Sequence, residues 1–547
     1  MESTALPIED AKGLDCLTGR AALDRLLEWP NRHALQIAFG VYCLIGLAFA
    51  ILGNTNRDEG WYLYASRLVY EGKVPYRDFP YFQTPLLPYI YGLPQLLFGP
   101  SLLVGRLTSF AFSLVTIGVG MSLARRFAGR TAALLFVALI VVNLHAMWTF
   151  TATRTESLVA PLAMLSLFFL IKPRRSTLDL VLASSLMLWA AAARLTMVPA
   201  FLAVLALCLY QARNDRSRWD KLLVSVGFQA ALLFVVPFAL SPDRMVFDVW
   251  SAQQYRGAQF FDVSNPLGAQ LRDKALFLPT LMAWYPATVT LTAGIAVFLA
   301  VRWRRGWRPS MAVLGQWPAA HLLMLFLVAL LFLPHLALNT LYDLYFVPAF
   351  AVAALLAATA ITHLAGSSPQ TVRRLLVPGL VGSLVLVEAF AFADNFPQFI
   401  NTADPELTRL QDAGAYLNTV VPPDKRILAF DTSVVFEANR RVNDRLEMEL
   451  FSYWPRLDTS DAERYGVVNY EMLQQMADDE ETAAIVMSTW DELRLMTVSS
   501  SDAPRAEDTG PTEFAAITLD DARYYLAKEY PGIGGEEDSL YIYLRVE

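Results

Sequence analysis

The sequence predicts an all-α polytopic membrane domain with about 11 transmembrane helices, followed by a small α/β domain. Of its 547 residues 55% are hydrophobic and only 17% are charged, and the mean hydropathy is +0.38. Long apolar runs recur through the first three quarters of the chain. Ordinary soluble proteins are less apolar than this, so lipid must form part of the solvent.

The apolar runs have the length of membrane spans. A helix needs about 20 apolar residues to cross about 30 Å of hydrocarbon at about 1.5 Å per residue. The predicted spans cover residues 34–53, 101–123, 131–150, 155–172, 177–193, 195–211, 221–240, 280–301, 318–339, 344–364 and 375–394. The fifth and sixth are separated only by a short run around Ala193 and Arg194.

Basic residues in every second loop predict the orientation, since Arg and Lys are retained in the cytoplasm. These residues are Arg125, Arg126 and Arg130; Lys172, Arg174 and Arg175; Arg213, Arg216 and Arg218; Arg302, Arg304 and Arg305; and Arg373 and Arg374. We therefore expect a multi-pass protein of the cell inner (plasma) membrane, with a cytoplasmic segment at 1–33 and a membrane domain at 34–395. The loops at 54–100 and 241–279 then face outward, as does the C-terminal domain at 396–547.

The C-terminal domain differs in pattern from the rest of the chain. Its apolar runs are short, and alternating stretches at 426–430 and 539–544 predict strands. It shows no nucleophile motif or phosphate-binding loop, so we expect it to influence stability or the choice of substrate rather than to be the catalytic unit. The formal net charge of −7 argues against nucleic acid as a partner.

Carboxylates in the first outer loop are the strongest candidates for chemistry. Asp58 and Glu59 lie just beyond the first predicted span, and Asp78 follows among Lys73, Arg77 and several tyrosines. A carboxylate can accept the proton of a sugar hydroxyl, while aromatic rings pack on the apolar face of a sugar. The alternative is that Asp58 and Glu59 cap the following helix, because acids favour helix N-termini.

Charged residues also lie at the ends of the middle spans. Arg154 and Glu156 stand at the outer start of the fourth span, and Arg194 lies between two apolar runs. Ionisable residues at a membrane boundary are often functional, but snorkelling or a mutual ion pair explains them equally well. Gln253, Gln254 and the aromatic residues that follow them predict either a flexible lid or an ordered surface loop.

Three elements of the first outer loop carry a family resemblance. They are the adjacent Asp58 and Glu59, a Gly-x-x-Pro-Tyr-x-Asp-Phe element at 72–79, and a Pro-Leu-Leu-x-Tyr element at 85–89. Together with the span pattern, they resemble the GT-C type of membrane glycosyltransferase, especially its protein-mannosyltransferase-like and aminoarabinose-transferase-like branch. The resemblance covers residues 40–365.

The resemblance implies a polyprenyl-phosphate sugar donor and an acceptor that is a glycan, a lipid or a protein. Transfer on the extracytoplasmic face with inversion would follow if Asp58 removes the acceptor proton opposite the departing phosphate. The residues expected in the site are Asp58, Glu59 and Asp78 for catalysis; Lys73, Arg77, Arg154 and Arg194 for the donor phosphate; and Glu156, Tyr62, Tyr76, Tyr342 and Tyr345 for substrate. A divalent metal ion on Asp58 and Asp78, with Glu59 as a further ligand, is an open alternative.

One segment departs from the family pattern. Where family members often carry a basic residue beside a tyrosine, residues 342–348 read Tyr-Asp-Leu-Tyr-Phe-Val-Pro, with no positive charge. The donor phosphate must then be recognised elsewhere, or Asp343 and the tyrosines contact acceptor or sugar. His335, at the end of a predicted span, is interpreted as structural.

Two other classes of function fit parts of the sequence. A transporter or flippase for lipid-linked sugars would share the many spans and aromatic loops, although no half-repeats are visible and Glu388 is the one acid in mid-span. A scaffolding protein would not require Asp58, Glu59 and Asp78 on one loop. Convergence of Asp58, Asp78, Arg154 and Glu156 at the mouth of a groove open to lipid would favour the enzyme.

Overall fold

The structure is a computed structural model. It describes residues 33–255, 274–304, 319–337, 342–366, 379–390, 399–489, 496–498, 517–519, 522–534 and 538–546, with a few positions omitted within 274–304 and 379–390. The predicted cytoplasmic segment and most of the predicted span at 375–394 lie outside the described residues.

Helices form the first part of the described chain. They are His33–Leu52, Asp58–Tyr70, Leu86–Phe98, Leu102–Val141, Leu144–Thr151, Thr155–Leu170, Thr177–Ala193, Val198–Ala212, Arg216–Ala230, Val236–Leu240, Pro242–Val246, Ala252–Tyr255, Pro286–Arg304, Ala319–Phe332 and Val347–Gly366. Short 3-10 segments at Leu195–Met197, Leu333–Ala337 and Asp343–Phe346, and π segments at Ala231–Val235 and Phe247–Ser251, extend or join some of them.

The described residues contain 6 helices long and apolar enough to cross a membrane, or 7 if a bent pair counts as one span. They are His33–Leu52, Leu102–Val141, Leu195–Ala212, Arg216–Leu240, Ala319–Ala337 and Asp343–Ala365, and the bent pair is Leu144–Thr151 with Thr155–Leu170. The protein is therefore a multi-pass membrane protein. The eleven predicted spans are not confirmed, partly because helices such as Thr177–Ala193 are shorter than a full span.

The longest helix contains a break at Gly129. This residue has φ +83° and ψ −171°, a conformation that glycine adopts more readily than other residues. A Cβ on Gly120 would lie 2.2 Å from the ring of Phe136, although a straight helix would separate these positions by about 24 Å. The helix thus folds back on itself at Gly129, which lies in the loop predicted between the second and third spans.

The helix Val347–Gly366 lies at the centre of the bundle. Its span is 94% buried in its most apolar window, against 11–44% for the other five single spans. The helices Leu102–Val141, Thr155–Leu170 and Ala319–Phe332 pack around it. Its many alanines allow this close approach, since small side chains let helix backbones come together in a membrane.

A sharp bend separates two helices near the site. Leu144–Thr151 and Thr155–Leu170 meet at 98°, because Ala152 and Arg154 have extended backbones. The bend frees the backbone N–H of Thr153, which donates to Glu59 Oε2 at 2.9 Å. This hydrogen bond ties the bend to the start of the Asp58–Tyr70 helix.

The C-terminal part is a small α/β domain, as predicted. Its helices are Glu406–Val420, Thr432–Glu437, Thr459–Tyr465 and Tyr470–Asp478, with a 3-10 segment at Glu449–Ser452. Its strands are β1 (Arg426–Ala429), β2 (Arg441–Val442), β3 (Thr482–Ser488), β4 (Met496–Val498), β5 (Ile517–Leu519), β6 (Tyr524–Pro531) and β7 (Ser539–Arg545).

These strands form two sheets. The larger sheet has the order β2-β1-β3-β7-β6, in which β1 runs parallel to β2 and β3 while β7 runs antiparallel to β3 and β6. β4 and β5 form a separate parallel pair. The strands predicted at 426–430 and 539–544 are β1 and β7.

The C-terminal domain packs directly on the first outer loop. A Cβ on Gly60 would lie 2.4 Å from the backbone nitrogen of Ser433, so the helix Asp58–Tyr70 touches this domain closely. Tyr64 Oη accepts from the Val442 N–H at 3.0 Å, and Glu437 Oε1 accepts from the Leu102 N–H. The domain therefore lies against this end of the bundle.

Candidate active site

Helix ends from distant parts of the chain meet at a polar cavity of about 330 Å³. It is lined by Thr55, Asn56, Arg57, Asp58, Trp61, Tyr62, Phe82, Gln83, Trp148, Arg154, Arg194, Gln253, Tyr342, Leu344, Tyr345, Phe451 and Gly534. These residues come from the first outer loop, the 98° bend, the end of Thr177–Ala193, the start of the central helix and the C-terminal domain.

Asp58 faces this cavity with an oriented carboxylate. Its Oδ2 lies 2.8 Å from Arg154 Nη2, and its Oδ1 accepts from Trp61 Nε1 at 3.2 Å. The side chain is 28% exposed. Both oxygens keep spare lone pairs, so the carboxylate can accept a further proton or hydrogen bond.

The capping role at this helix start falls to other residues. Asn56 Oδ1 accepts from the Asp58 N–H at 3.0 Å, and Glu59 Oε1 accepts from the Asn56 N–H at 2.9 Å. This reciprocal pair resembles a capping box. The alternative drawn from the sequence thus describes Glu59, whereas the Asp58 side chain points to the cavity.

Glu59 also forms a buried ion pair with Arg106. It is fully buried, and Arg106 contacts both of its oxygens, with Nη2 at 2.7 Å from Oε1 and Nε at 3.1 Å from Oε2. Arg106 also donates to the carbonyls of Gly53 and Asn54. Sequence reasoning did not single out Arg106, although a basic residue inside a predicted span was a usable signal.

A chain of buried charges connects Arg154 to Arg194. The Glu156 carboxylate has no exposed surface and pairs with Arg154 Nε at 3.3 Å through Oε2 and with Arg194 Nη1 through Oε1. Burying these two guanidinium groups requires compensating negative charge, which Glu156 supplies to both and Asp58 supplies to Arg154. The ion-pair interpretation and the functional one are therefore compatible, since both arginines also line the cavity.

Arg194 is held in place by aromatic and imidazole groups. Its Cζ lies 4.1 Å from the centre of the Tyr345 ring, and its Nε donates to His335 Nε2 at 3.0 Å. His335 Nδ1 lies 3.1 Å from the Phe332 carbonyl oxygen, which assigns the proton to Nδ1 and leaves Nε2 as the acceptor. His335 is thus a residue that positions Arg194.

The charges around the cavity favour an anion. Three guanidinium groups, on Arg57, Arg154 and Arg194, face or adjoin it, against the carboxylates of Asp58 and Glu156. Among the charged side chains that line the cavity, guanidinium groups therefore outnumber carboxylates. Because the arginines are largely buried, their attraction for a phosphate is less screened than it would be at a surface.

An apolar cavity of about 370 Å³ continues from the polar one. The two share Phe82, Gln83, Arg194, Gln253 and Tyr345. Beyond these, the second is lined mainly by apolar side chains, among them Leu195, Val198, Pro199, Val249, Trp250, Pro334 and Ala337. A ligand with a charged head and a hydrocarbon tail fits this polarity.

The structure does not bring Lys73, Arg77, Asp78 or Tyr76 into the cavity. Arg77 forms an exposed ion pair with Asp78 at 2.7 Å, and this bond holds the pKa of the Asp78 carboxyl below its ordinary value. Tyr76 is buried and donates to the Gln83 carbonyl at 2.6 Å. Lys73 and Asp78 line a separate cavity beside the C-terminal domain.

The carboxylates considered for a metal ion do not converge. Glu59 faces Arg106, Asp78 faces Arg77, and Asp58 lies in the polar cavity without either of them. Among the residues that the structure describes, no group of three His, Cys, Asp or Glu side chains has the arrangement of a metal site. This set therefore does not fit a shared cation.

Tyr62, Tyr342 and Tyr345 line the polar cavity, as expected for substrate contacts. The sequence analysis missed Trp61, Trp148 and Phe451, whose rings add an aromatic wall, and did not distinguish Arg57 from its neighbours. Of the loop considered as a lid, Gln253 donates to the Phe82 carbonyl at 3.0 Å, whereas residues 256–273 lie outside the described part.

Comparison with known proteins finds similar structures but no similar sequence family. No protein-family model and no curated protein matches the sequence. The structure is similar to that of ArnT from Cupriavidus metallidurans in the apo state, with a TM-score of 0.55 and 16% identity over 85% of this chain and 94% of that one. ArnT bound to undecaprenyl phosphate gives a TM-score of 0.55 and 15% identity, over 93% of this chain and 98% of that one.

A second kind of enzyme shares the architecture. The archaeal oligosaccharyltransferase AglB from Archaeoglobus fulgidus, in complex with an inhibitory peptide and a dolichol-phosphate, has a TM-score of 0.51 and 12% identity, over 85% of this chain and 70% of that one. Identities this low establish a common fold and leave the substrate open. The resemblance carried by the first outer loop is thus confirmed in three dimensions, and the chain has the GT-C fold of the membrane glycosyltransferases.

Proposed function

We propose that the protein transfers a hexose or pentose from a polyprenyl-phosphate donor to a glycan, lipid or protein acceptor on the extracytoplasmic face, with inversion. One observation carries the proposal. A polar cavity containing Asp58 and three arginines opens directly into an apolar cavity between the helices. The polar cavity suits the sugar and the phosphate of such a donor, and the apolar cavity suits its hydrocarbon chain.

The similar structures support this class of donor. One ArnT structure contains undecaprenyl phosphate, and the AglB structure contains a dolichol-phosphate. Both ligands join a phosphate to a long isoprenoid chain. In the present chain, Arg194 is a boundary residue of both cavities, so a phosphate at Arg194 places the lipid along Leu195, Val198 and Trp250.

Asp58 acts as the base in this scheme. The acceptor hydroxyl oxygen attacks the anomeric carbon and forms the new glycosidic bond, while the bond from that carbon to the phosphate oxygen breaks. The acceptor proton passes to Asp58, and the electron pair leaves with the lipid phosphate. Attack opposite the leaving group inverts the anomeric configuration.

The arginines stabilise the departing phosphate. Arg194, Arg154 and Arg57 supply fixed positive charge where negative charge develops, so no carboxylic acid is needed to protonate the leaving group. The missing basic residue at 342–348 is explained in the same way. Arg194, from another helix, lies over the Tyr345 ring and brings a positive charge to that position.

Donor binding gives a direct test. Lipids extracted from the purified wild-type protein should contain a polyprenyl phosphate or its sugar derivative by mass spectrometry. We expect the Arg194→Gln variant to retain at least tenfold less of this lipid than the wild type, because Arg194 lines both the polar and the apolar cavity. The control is Arg216→Gln, because the Arg216 side chain is exposed and forms its ion pair with Asp220, also exposed and outside both cavities.

A second variant protects this test against misfolding. Arg57 is only part-buried, and Arg57→Gln should also lower the retained lipid. The proposal would be contradicted if the wild-type protein neither co-purified with a polyprenyl lipid nor bound one that was added. If Arg194→Gln and Arg57→Gln retained as much polyprenyl lipid as Arg216→Gln, Arg194 and Arg57 would have no role in donor binding.

A further inference from the structure

A second polar cavity of about 310 Å³ lies between the first outer loop and the C-terminal domain. It is lined by Tyr64, Leu68, Glu71, Lys73, Asp78, Phe79, Pro80, Arg244, Arg426, Arg441, Asp444, Arg445, Glu447 and Gly466. It shares no lining residue with the candidate active site. The 72–79 element, which the proposed transfer does not use, forms one of its walls.

Positive charge dominates this second cavity. Lys73, Arg244, Arg426, Arg441 and Arg445 face the carboxyl groups of Glu71, Asp78, Asp444 and Glu447. Burial raises the pKa of Glu447 to about 8, which favours the neutral form of this group at neutral pH. The cations then exceed the charged carboxylates by two.

Several of these charges are already satisfied. Arg244 donates to the carbonyls of Arg77, Glu463 and Arg464, and Asp78 binds Arg77 through both oxygens. Lys73 and Arg445 differ, because neither forms an ion pair with any residue that the structure describes. Lys73 is exposed, so its ammonium group is available to a ligand.

Glu447 provides an independent sign of a ligand. Its side chain is buried, and its Oε2 has no hydrogen-bond partner among the residues that the structure describes. An unpaired buried oxygen costs about 1–3 kcal/mol, so such groups usually have a partner in the functional state. A hydroxyl group entering the cavity would supply that partner.

We propose that this cavity binds an anionic oligosaccharide. Lys73 and Arg445 would bind its negative group, and Glu447 would hydrogen-bond a hydroxyl. A simple inorganic anion fits less well, because it would fill only a small part of the cavity of about 310 Å³. This site is independent of the transfer reaction.

Binding to the full-length protein tests the proposal without an activity assay. Purified protein in nanodiscs of zwitterionic lipid would be titrated calorimetrically with trigalacturonate, with neutral maltotriose and with inorganic phosphate. We expect trigalacturonate to bind at least tenfold more tightly than either of the others. Its affinity should fall at least tenfold in Lys73→Met and in Arg445→Gln.

The control is Lys425→Met, which removes a partly exposed lysine of the same domain that pairs with Glu481 and does not line the cavity. It should bind trigalacturonate as the wild type does. Because Lys73 is exposed, Lys73→Met tests the site even if Arg445→Gln folds poorly. Phosphate binding as tight as trigalacturonate, or equal trigalacturonate affinity in Lys73→Met and wild type, would overturn the proposal.

Discussion

Replacing Asp58 by Asn is the sharpest test of the catalytic assignment. The amide keeps the shape of the side chain and can still accept from Trp61 Nε1, which lies 3.2 Å from Oδ1 in the wild type. It loses the negative charge 2.8 Å from Arg154 and the ability to take up a proton. The change therefore removes one chemical property while leaving the cavity lined as before.

The effect on stability should be smaller than the effect on transfer. Arg154 keeps its contact with Glu156 at 3.3 Å and its hydrogen bond to Asn56, so the guanidinium is not left unpaired in Asp58→Asn. Because Arg154 is buried and loses one of its two carboxylate partners, we expect a loss of about 1–3 kcal/mol of folding free energy. Transfer should fall far more, by about a hundredfold to ten-thousandfold, which corresponds to about 2.7–5.4 kcal/mol in the activation barrier.

The assay follows labelled sugar from polyprenyl phosphate into acceptor at matched protein levels, with co-purified lipid and melting temperature measured in parallel. Asp78→Asn is the matched control, because its carboxylate pairs with the exposed Arg77 and lies outside the active-site cavity. Asp58→Asn should keep donor lipid and remain folded, with a modestly lower melting temperature, but lose transfer. Wild-type turnover in this variant would show that Asp58 is only an acid in the first turn of a helix.

Three further predictions concern stability and topology. Glu59→Gln should lower the free energy of unfolding by about 3–5 kcal/mol, because Arg106 becomes a buried charge without its partner. The melting temperature should fall accordingly, and an unchanged melting temperature would contradict this prediction. Folding raises the pKa of Glu447 to about 8, so the folded domain holds this proton more tightly, and the resulting stability is present at acidic pH and lost as the pH rises towards 8. Melting temperatures of Glu447→Gln should lack this pH dependence, and an identical slope in variant and wild type would refute it. A reporter fused after residue 394 should be accessible from outside the cell and one at 302–308 only from the cytoplasm, whereas exposure of both on one side would exclude the predicted topology.

Much of the fold was predictable from local pattern. Apolar runs predicted helices that the structure places within a few residues, as at Leu195–Ala212 and Asp343–Ala365. The break at Gly129 lies among basic residues that marked a loop. The number of spans was less predictable, because a helix such as Thr177–Ala193 ends at a buried arginine, short of the membrane thickness.

Residue type and spacing identified Asp58, Arg154, Glu156 and Arg194 as candidates, because charged side chains are conspicuous beside apolar runs. The same reasoning could not separate Glu59 from Asp58, which are adjacent in the chain. In the structure they lie on different faces of a helix, and one meets Arg106 while the other meets the cavity.

The sequence by itself determined that the chain lies in a membrane, ends in an α/β domain and carries charge at its helix ends. Only the tertiary structure decided which of those charges meet. Arg194 and His335 are 141 positions apart in the chain, yet they share a hydrogen bond at 3.0 Å. Contacts of this kind depend on how helices pack side by side, and the periodicity of one helix shows its buried face but does not identify the neighbouring helix.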